Sequence, residues 1–173
     1  AQQHALQVAA NEVGGHLAAD LRARKREVVL TGGLLEKTRL SDPADIRALL
    51  EKLKDEQSSY AWIGVTDAAG KVLAATGRLL EGQDTSGRPW FAGARGGVYL
   101  GDPHEAKLLA GYLPPSADSE PVRFVDIAVP LRNARGEVQG VLAAHLHWSW
   151  TRKVIETVLR EQQSPFLTQF VIA

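Results

Sequence analysis

The N-terminal stretch constrains this chain more than any other. From His4 to about Leu40 there is no proline, and apolar side chains recur at Leu6, Val13, Leu17, Leu21, Val28 and Leu35. Steps of four and seven put these residues on one stripe of an α-helix, because 3.6 residues complete a turn. One long amphipathic helix is expected, with Arg22, Arg24, Lys25, Arg26 and Glu27 clustered on its polar faces. Gly14-Gly15 and Gly32-Gly33 weaken it and are candidate bends or ends. A helix this long can overhang a small domain and offer part of its stripe to a second copy of the chain. The alternative is a helix lying wholly on its own sheet.

A second helix is announced by Asp42-Pro43. Asp42 suits the N-cap, Pro43 the first turn and Asp45 the positive end of the dipole. Ile46, Leu49, Leu50 and Leu53 give it an apolar face that should end near Gln57. Two strand pairs follow. Tyr60–Thr66 and Lys71–Ala75 are joined across Asp67-Ala-Ala-Gly70, and Val122–Leu131 and Glu137–Trp148 across Asn133-Ala-Arg-Gly136. Each turn has a polar residue followed three places later by a glycine where positive φ is wanted. The central strands are apolar on both faces, so both faces should be covered. A last helix is expected from about Ser149, with Val154, Val158 and Leu159 on its apolar side and a break at Ser164-Pro165. Phe166–Ile172 then looks like a new strand, either of this sheet or of a further module.

Between the strand pairs lies Thr85-Ser-Gly-Arg-Pro-Trp-Phe91. Gly87 can take a positive φ, and Pro89 fixes its own φ and keeps Arg88 extended. A stiff turn is expected that carries one permanent cation followed by two large rings. A guanidinium offers planar bidentate donors to a carboxylate or phosphate, and Trp90 and Phe91 can wall what it holds. An ion pair at a helix start is the competing role for Arg88. Ala92-Gly-Ala-Arg95 should form a short helix closing the turn, and a short strand is expected at Val98–Leu100. The loop-rich stretch from Gly101 to Glu120 is too long for a plain connector. The expected class is α+β: an antiparallel sheet with the long helix on one face and the Arg88 segment over the other. One cavity, facing Arg88, lies between.

Composition closes off several classes. The 173 residues fit one domain with a real core, and 20 basic groups balance 20 acidic ones. No net field draws nucleic acid or an anionic membrane, and the basic cluster of the first helix lacks interleaved aromatics. Cys is absent, which excludes disulfides, thiolate metal sites and a cysteine nucleophile. Met is absent too, as expected of a piece of a longer protein. No apolar run approaches the roughly 18–20 residues of a membrane span, so any membrane segment is expected outside this chain.

Four stretches together carry a family resemblance: Asp84–Phe91, Val98-Tyr-Leu-Gly-Asp-Pro-His104, Val125-Asp-Ile-Ala-Val-Pro-Leu131 and Arg135-Gly-Glu-Val-Gln-Gly-Val-Leu142. From about Tyr60 to Trp148 the chain resembles a bacterial Cache sensor domain, most of all the membrane-distal module of a double Cache. The resemblance implies a PAS-like, periplasmic sensor in a chemoreceptor, histidine kinase or diguanylate cyclase, binding a small metabolite without catalysis or cofactor. It implies that Arg88 and Trp90 match residues that hold the carboxylate in amino-acid-binding members. Asp126 matches the strand Asp that takes the ammonium, and Tyr99 matches a pocket Tyr. Where those members carry tyrosines, this chain has Phe91 and Gln83. The amino-acid motif is therefore incomplete, while a carboxylate- or amine-bearing ligand remains implied. Gln83, His104 and Tyr112 are secondary candidates, with Tyr112-Leu-Pro-Pro115 a candidate lid. The expected divisions are a helical stem over 1–58, the sensor module over 59–163 and a further strand or module over 164–173. A homodimer through the N-terminal helix is expected.

Two rival chemistries use the histidines. His145 and His147 share a strand face and could pair on a metal, given a third ligand from His104 or Asp102. The other reading packs them beside Trp148 and Trp150. Ser86, His104 and Asp126 supply the residue types of a hydrolytic triad, but no nucleophile elbow accompanies them. Arg88 and Asp126 can also pair with each other across an empty pocket.

Overall fold

Two hairpins, each closed by a glycine in the left-handed region, build the sheet. The computed structural model describes residues 2–39, 41–105, 109, 111–112 and 123–162. Its elements are α1 (Gln2–Thr38), α2 (Pro43–Glu56), β1 (Tyr60–Thr66), β2 (Val72–Ala75), α3 (Pro89–Ala94), β3 (Tyr99–Leu100), β4 (His104–Glu105), β5 (Arg123–Arg132), β6 (Val138–His147) and α4 (Ser149–Gln162). Gly70 and Gly136 sit at φ 95° and 80°. The polar residue three places earlier organises each turn. Asp67 accepts from the amides of Ala69 and Lys71, and Asn133 from those of Arg135 and Glu137. The strands run antiparallel in the order β2-β1-β6-β5-β3, and β4 also pairs with β5.

Of the described residues, those within 25–148 form one compact unit, and 2–24 with 149–162 form another. In the first, the C-terminal turns of α1 cover one sheet face, burying Val28 and Leu35. Gly32 brings the helix close, since a Cβ there would lie 2.9 Å from Val129 Cγ2. Glu36 then accepts the Arg132 amide at 2.7 Å. The opposite face carries α3 and an apolar cluster that includes Trp62, Trp90, Phe91, Phe124 and Val141. α2 packs on β1 and β2 through Ile46 and Leu50. Asp42 caps α2 by accepting the Ala44 amide at 2.7 Å, and Pro43 fills its first turn. The second unit holds the first turns of α1 together with α4, which begins at Ser149.

The α+β class and the two hairpins stand as expected. Other readings change. Neither glycine pair interrupts α1. Leu6, on the apolar stripe, is 70% exposed, so the described residues leave this end of the stripe uncovered. The short helix starts at Pro89 rather than Ala92, because a proline at the first helical position supplies a helical φ and wastes no donor. Gly87 does not use positive φ. The Ser164-Pro165 break and the Phe166–Ile172 strand lie outside the described residues. Among the described residues no helix is long and apolar enough to cross a membrane.

Candidate ligand-binding site

The β1–β2 turn positions Arg88. Thr85 is buried, and both its amide and its hydroxyl donate to the Gly70 carbonyl, at 2.8 and 2.6 Å. A Cβ on Gly70 would come within 2.8 Å of the Ser86 amide nitrogen, so the two turns pack backbone on backbone. Asp84 accepts that same amide at 2.8 Å. This bond holds its carboxyl below the usual carboxylate range. The Arg88 amide closes the turn on the Thr85 carbonyl at 2.9 Å. Arg88 itself is extended at φ −86°, ψ 139° and leads into Pro89, as a residue before proline should.

A cavity of about 310 Å³ lies between this segment and the sheet. Phe124, Asp126 and His145 form its sheet side, while Thr85, Arg88, Pro89 and Trp90 wall it with Leu80. Tyr99, Asp102, Pro103, His104 and Leu109 complete it. Tyr99 reaches its place because Gly93 has no side chain; a Cβ there would collide with the Cδ2 edge of the Tyr99 ring.

Sheet register aligns the polar floor. Trp62 on β1, His145 on β6 and Asp126 on β5 are successive cross-strand partners. A bulge between Tyr60 and Trp62 brings Trp62 opposite His145. The His145 ring stacks on Trp62 (4.8 Å, 20°) on one side and on Phe124 (5.5 Å, 11°) on the other. Its Nδ1 stands 2.5 Å from Asp126 Oδ1. Despite that distance the pair is misaligned for a hydrogen bond, and neither atom has a hydrogen-bond partner among the described residues. The second Asp126 oxygen lies 3.2 Å from Nε2 of His104, whose Nδ1 is 3.2 Å from the Asp102 carbonyl. Asp126 and His145 are buried and His104 is partly open, at 42% side-chain exposure. Asp126 thus stands between two imidazoles, and among the described residues no ion pair joins it to Arg88. Among the described residues the Arg88 guanidinium makes no ion pair and no hydrogen bond.

Of the candidates from sequence, Arg88, Trp90, Tyr99, Asp126 and His104 meet at the cavity. Phe91 does not line it; it is buried behind Trp90, edge-on at 6.2 Å, with the Arg95 guanidinium 6.0 Å from its ring centre. Gln83 is exposed and contributes its carbonyl to the Val72 amide. Tyr112 is 61% exposed and away from the cavity lining, and residues 113–115 of the candidate lid lie outside the described residues. His145 was placed beside Trp148 and Trp150, but it packs between Trp62 and Phe124. His147 does not line the cavity and tilts against Phe124 at 6.1 Å. Among the described residues no three His, Asp or Glu side chains are placed to hold a metal ion. His104 and Asp126 do meet, but Ser86 does not line the cavity. Thr85 does line it, but its hydroxyl is committed to the Gly70 carbonyl.

No family model matches the chain, and no curated protein matches it by sequence. Solved structures match it by fold. The ligand-binding domain of the Pseudomonas aeruginosa amino acid chemoreceptor PctC, in complex with GABA, aligns at TM-score 0.64 and 17% identity over 86% of this chain. That of the Pseudomonas fluorescens chemoreceptor CtaA, with L-alanine, aligns at 0.62 and 19% over 84%. The sensor domain of the V. cholerae histidine kinase DctB aligns at 0.64 and 19% over 95%. The chain spans 63%, 60% and 62% of those three chains. A long N-terminal helix packed on an antiparallel sheet is therefore a fold this chain shares with ligand-binding sensor domains of chemoreceptors and histidine kinases.

Proposed function

We propose that this chain is the extracytoplasmic sensor module of a membrane-anchored bacterial receptor, binding a small carboxylate- or amine-bearing metabolite without chemical turnover. The observation that carries the reading is Arg88. A guanidinium without a described partner stands on a rigid turn, in the wall of a cavity otherwise lined largely by rings and aliphatic groups. Pockets of this kind, mostly apolar with a few placed polar groups, are the usual form of small-molecule sites. The likeness to chemoreceptor and histidine-kinase domains supports a periplasmic placement, and among the described lining residues no serine accompanies His104 and Asp126. Binding favours whichever arrangement of the module holds the ligand better, and the connected membrane segments carry that bias inward. Val29, Leu30 and Leu34, exposed on α1, support a homodimer through that helix.

Thermal unfolding against amino acids, polyamines, organic acids and purines tests the reading, with Arg88→Ala alongside. A ligand at a hundred times its Kd adds about 2.7 kcal/mol, or roughly 5–10 °C for a domain of this size. The rise should vanish in Arg88→Ala. A transition that no compound moves would leave a ligand-free dimerising spacer as the better description.

A further inference from the structure

We infer that the pocket takes a monocarboxylate bearing no ammonium group, and that the His145–Asp126–His104 cluster is what turns the ammonium away. This rests on the sensor reading above and names its ligand class. A free Asp126 opposite Arg88 would suit a zwitterion, with one charge for each end. Here an imidazole nitrogen already stands against each carboxylate oxygen, His145 Nδ1 2.5 Å from Oδ1 and His104 Nε2 3.2 Å from Oδ2.

Neither imidazole is placed to give way. His145 is clamped between the Trp62 and Phe124 rings and buried. His104 is held by the pairing of β4 with β5, where its partner is Phe124. Both nitrogens of the His104 ring face acceptors, the Asp102 carbonyl and the Asp126 carboxylate. The His104 ring therefore lies against Asp126 Oδ2 on the path by which a ligand's ammonium would reach that oxygen. His104 is in effect a built-in occupant of the cation subsite.

The remaining features fix the rest of the ligand. Arg88 is the one arginine or lysine among the described lining residues, and it is fit for one carboxylate, bidentate. A second carboxylate would face Asp102 and Asp126. Leu80, Pro89, Trp90, Leu109 and Phe124 offer apolar surface to the body of the molecule. At about 310 Å³ the cavity is at the small end of ligand pockets.

Calorimetric titration with matched pairs tests this: pentanoate against norvaline, and 3-phenylpropionate against phenylalanine, in wild type, Arg88→Ala and His104→Ala. In the wild type, at least one desamino acid should bind about tenfold or more tighter than its amino acid, the scale of one misplaced polar group. Arg88→Ala should abolish that binding. His104→Ala should narrow the ratio within the pair by opening one Asp126 oxygen; a ratio measured within one variant does not depend on that variant's stability. An amino acid that binds the wild type as well as its desamino partner, through Arg88, overturns the ligand class and leaves the sensor reading standing. An unchanged ratio in His104→Ala removes the cluster as the cause. No binding by any of the four acids, and no response to the wider panel above, overturns both.

Discussion

Nδ1 of His145 and Oδ1 of Asp126 lie 2.5 Å apart across β6 and β5, with both side chains buried. A carboxylate at that depth is tolerable only against a donor or cation, and removing one partner strands the other. Asp126→Ala should therefore destabilise the domain by about 3 kcal/mol, which lowers the unfolding midpoint by about 6–12 °C. Asp126→Asn, which keeps an acceptor, should cost less. Equal midpoints for wild type and Asp126→Ala would mean that the pair contributes nothing to the fold.

Arg88 predicts the opposite. Its guanidinium has no partner among the described residues, and it lies at the wall of an open cavity. Arg88→Ala should shift stability by no more than about 0.5 kcal/mol in the absence of ligand, while removing ligand-induced stabilisation. Chemical denaturation of the two proteins without ligand separates a binding arginine from a bridge. A large loss of stability would assign Arg88 to the scaffold.

The parts legible in the sequence are those set by local rules. Gly70 and Gly136 mark the hairpins, Asp42-Pro43 marks a helix start, and Pro89 holds Arg88 extended. His145 was the residue misplaced. Its stacking partner Trp62 depends on cross-strand register, and that register follows a bulge between Tyr60 and Trp62 that no residue in the stretch announces. Spacing showed that His145 and His147 share a face. It could not show that Asp126 would stand opposite one of them, nor that the short β4 would bring His104 to the same carboxylate. The helical stripe showed which residues of α1 align, but not how far along the helix a neighbour extends, so which of them stay exposed, as Leu6 does, could not be read from spacing.

Gly70 offers a test of how the site is held. It sits at φ 95°, and a Cβ would press on the Ser86 backbone. Gly70→Ala should cost on the order of 1–3 kcal/mol, from left-handed strain and the collision together. Gly70 does not line the cavity, yet the substitution displaces the turn that carries Arg88. Ligand affinity should fall along with stability. If affinity is retained in folded Gly70→Ala, the Thr85–Gly70 anchor does not set the position of Arg88.

The clamp between α2 and the segment after β2 should give the domain an acid-sensitive element. Arg47 donates Nε to Glu81 Oε1 at 2.7 Å and Nη2 to Oε2 at 2.9 Å, and the Ala75 amide adds a third bond at 3.0 Å. Burial pushes the Glu81 carboxyl up, but the bonds from Arg47 and Ala75 outweigh it and hold the group below its ordinary range. The hydrogen bond to Glu81 in turn raises Arg47. A carboxyl whose folded pKa is depressed stabilises the fold above its unfolded pKa, and the effect is lost as the pH falls through the folded value. Glu81→Gln should therefore unfold at lower temperature than wild type near neutral pH. The gap should close as the pH drops below the usual carboxylate range, about 4. Melting both proteins across that range measures it. A gap that stays constant into acid would show that Glu81 acts by packing or by neutral hydrogen bonds, not by its charge.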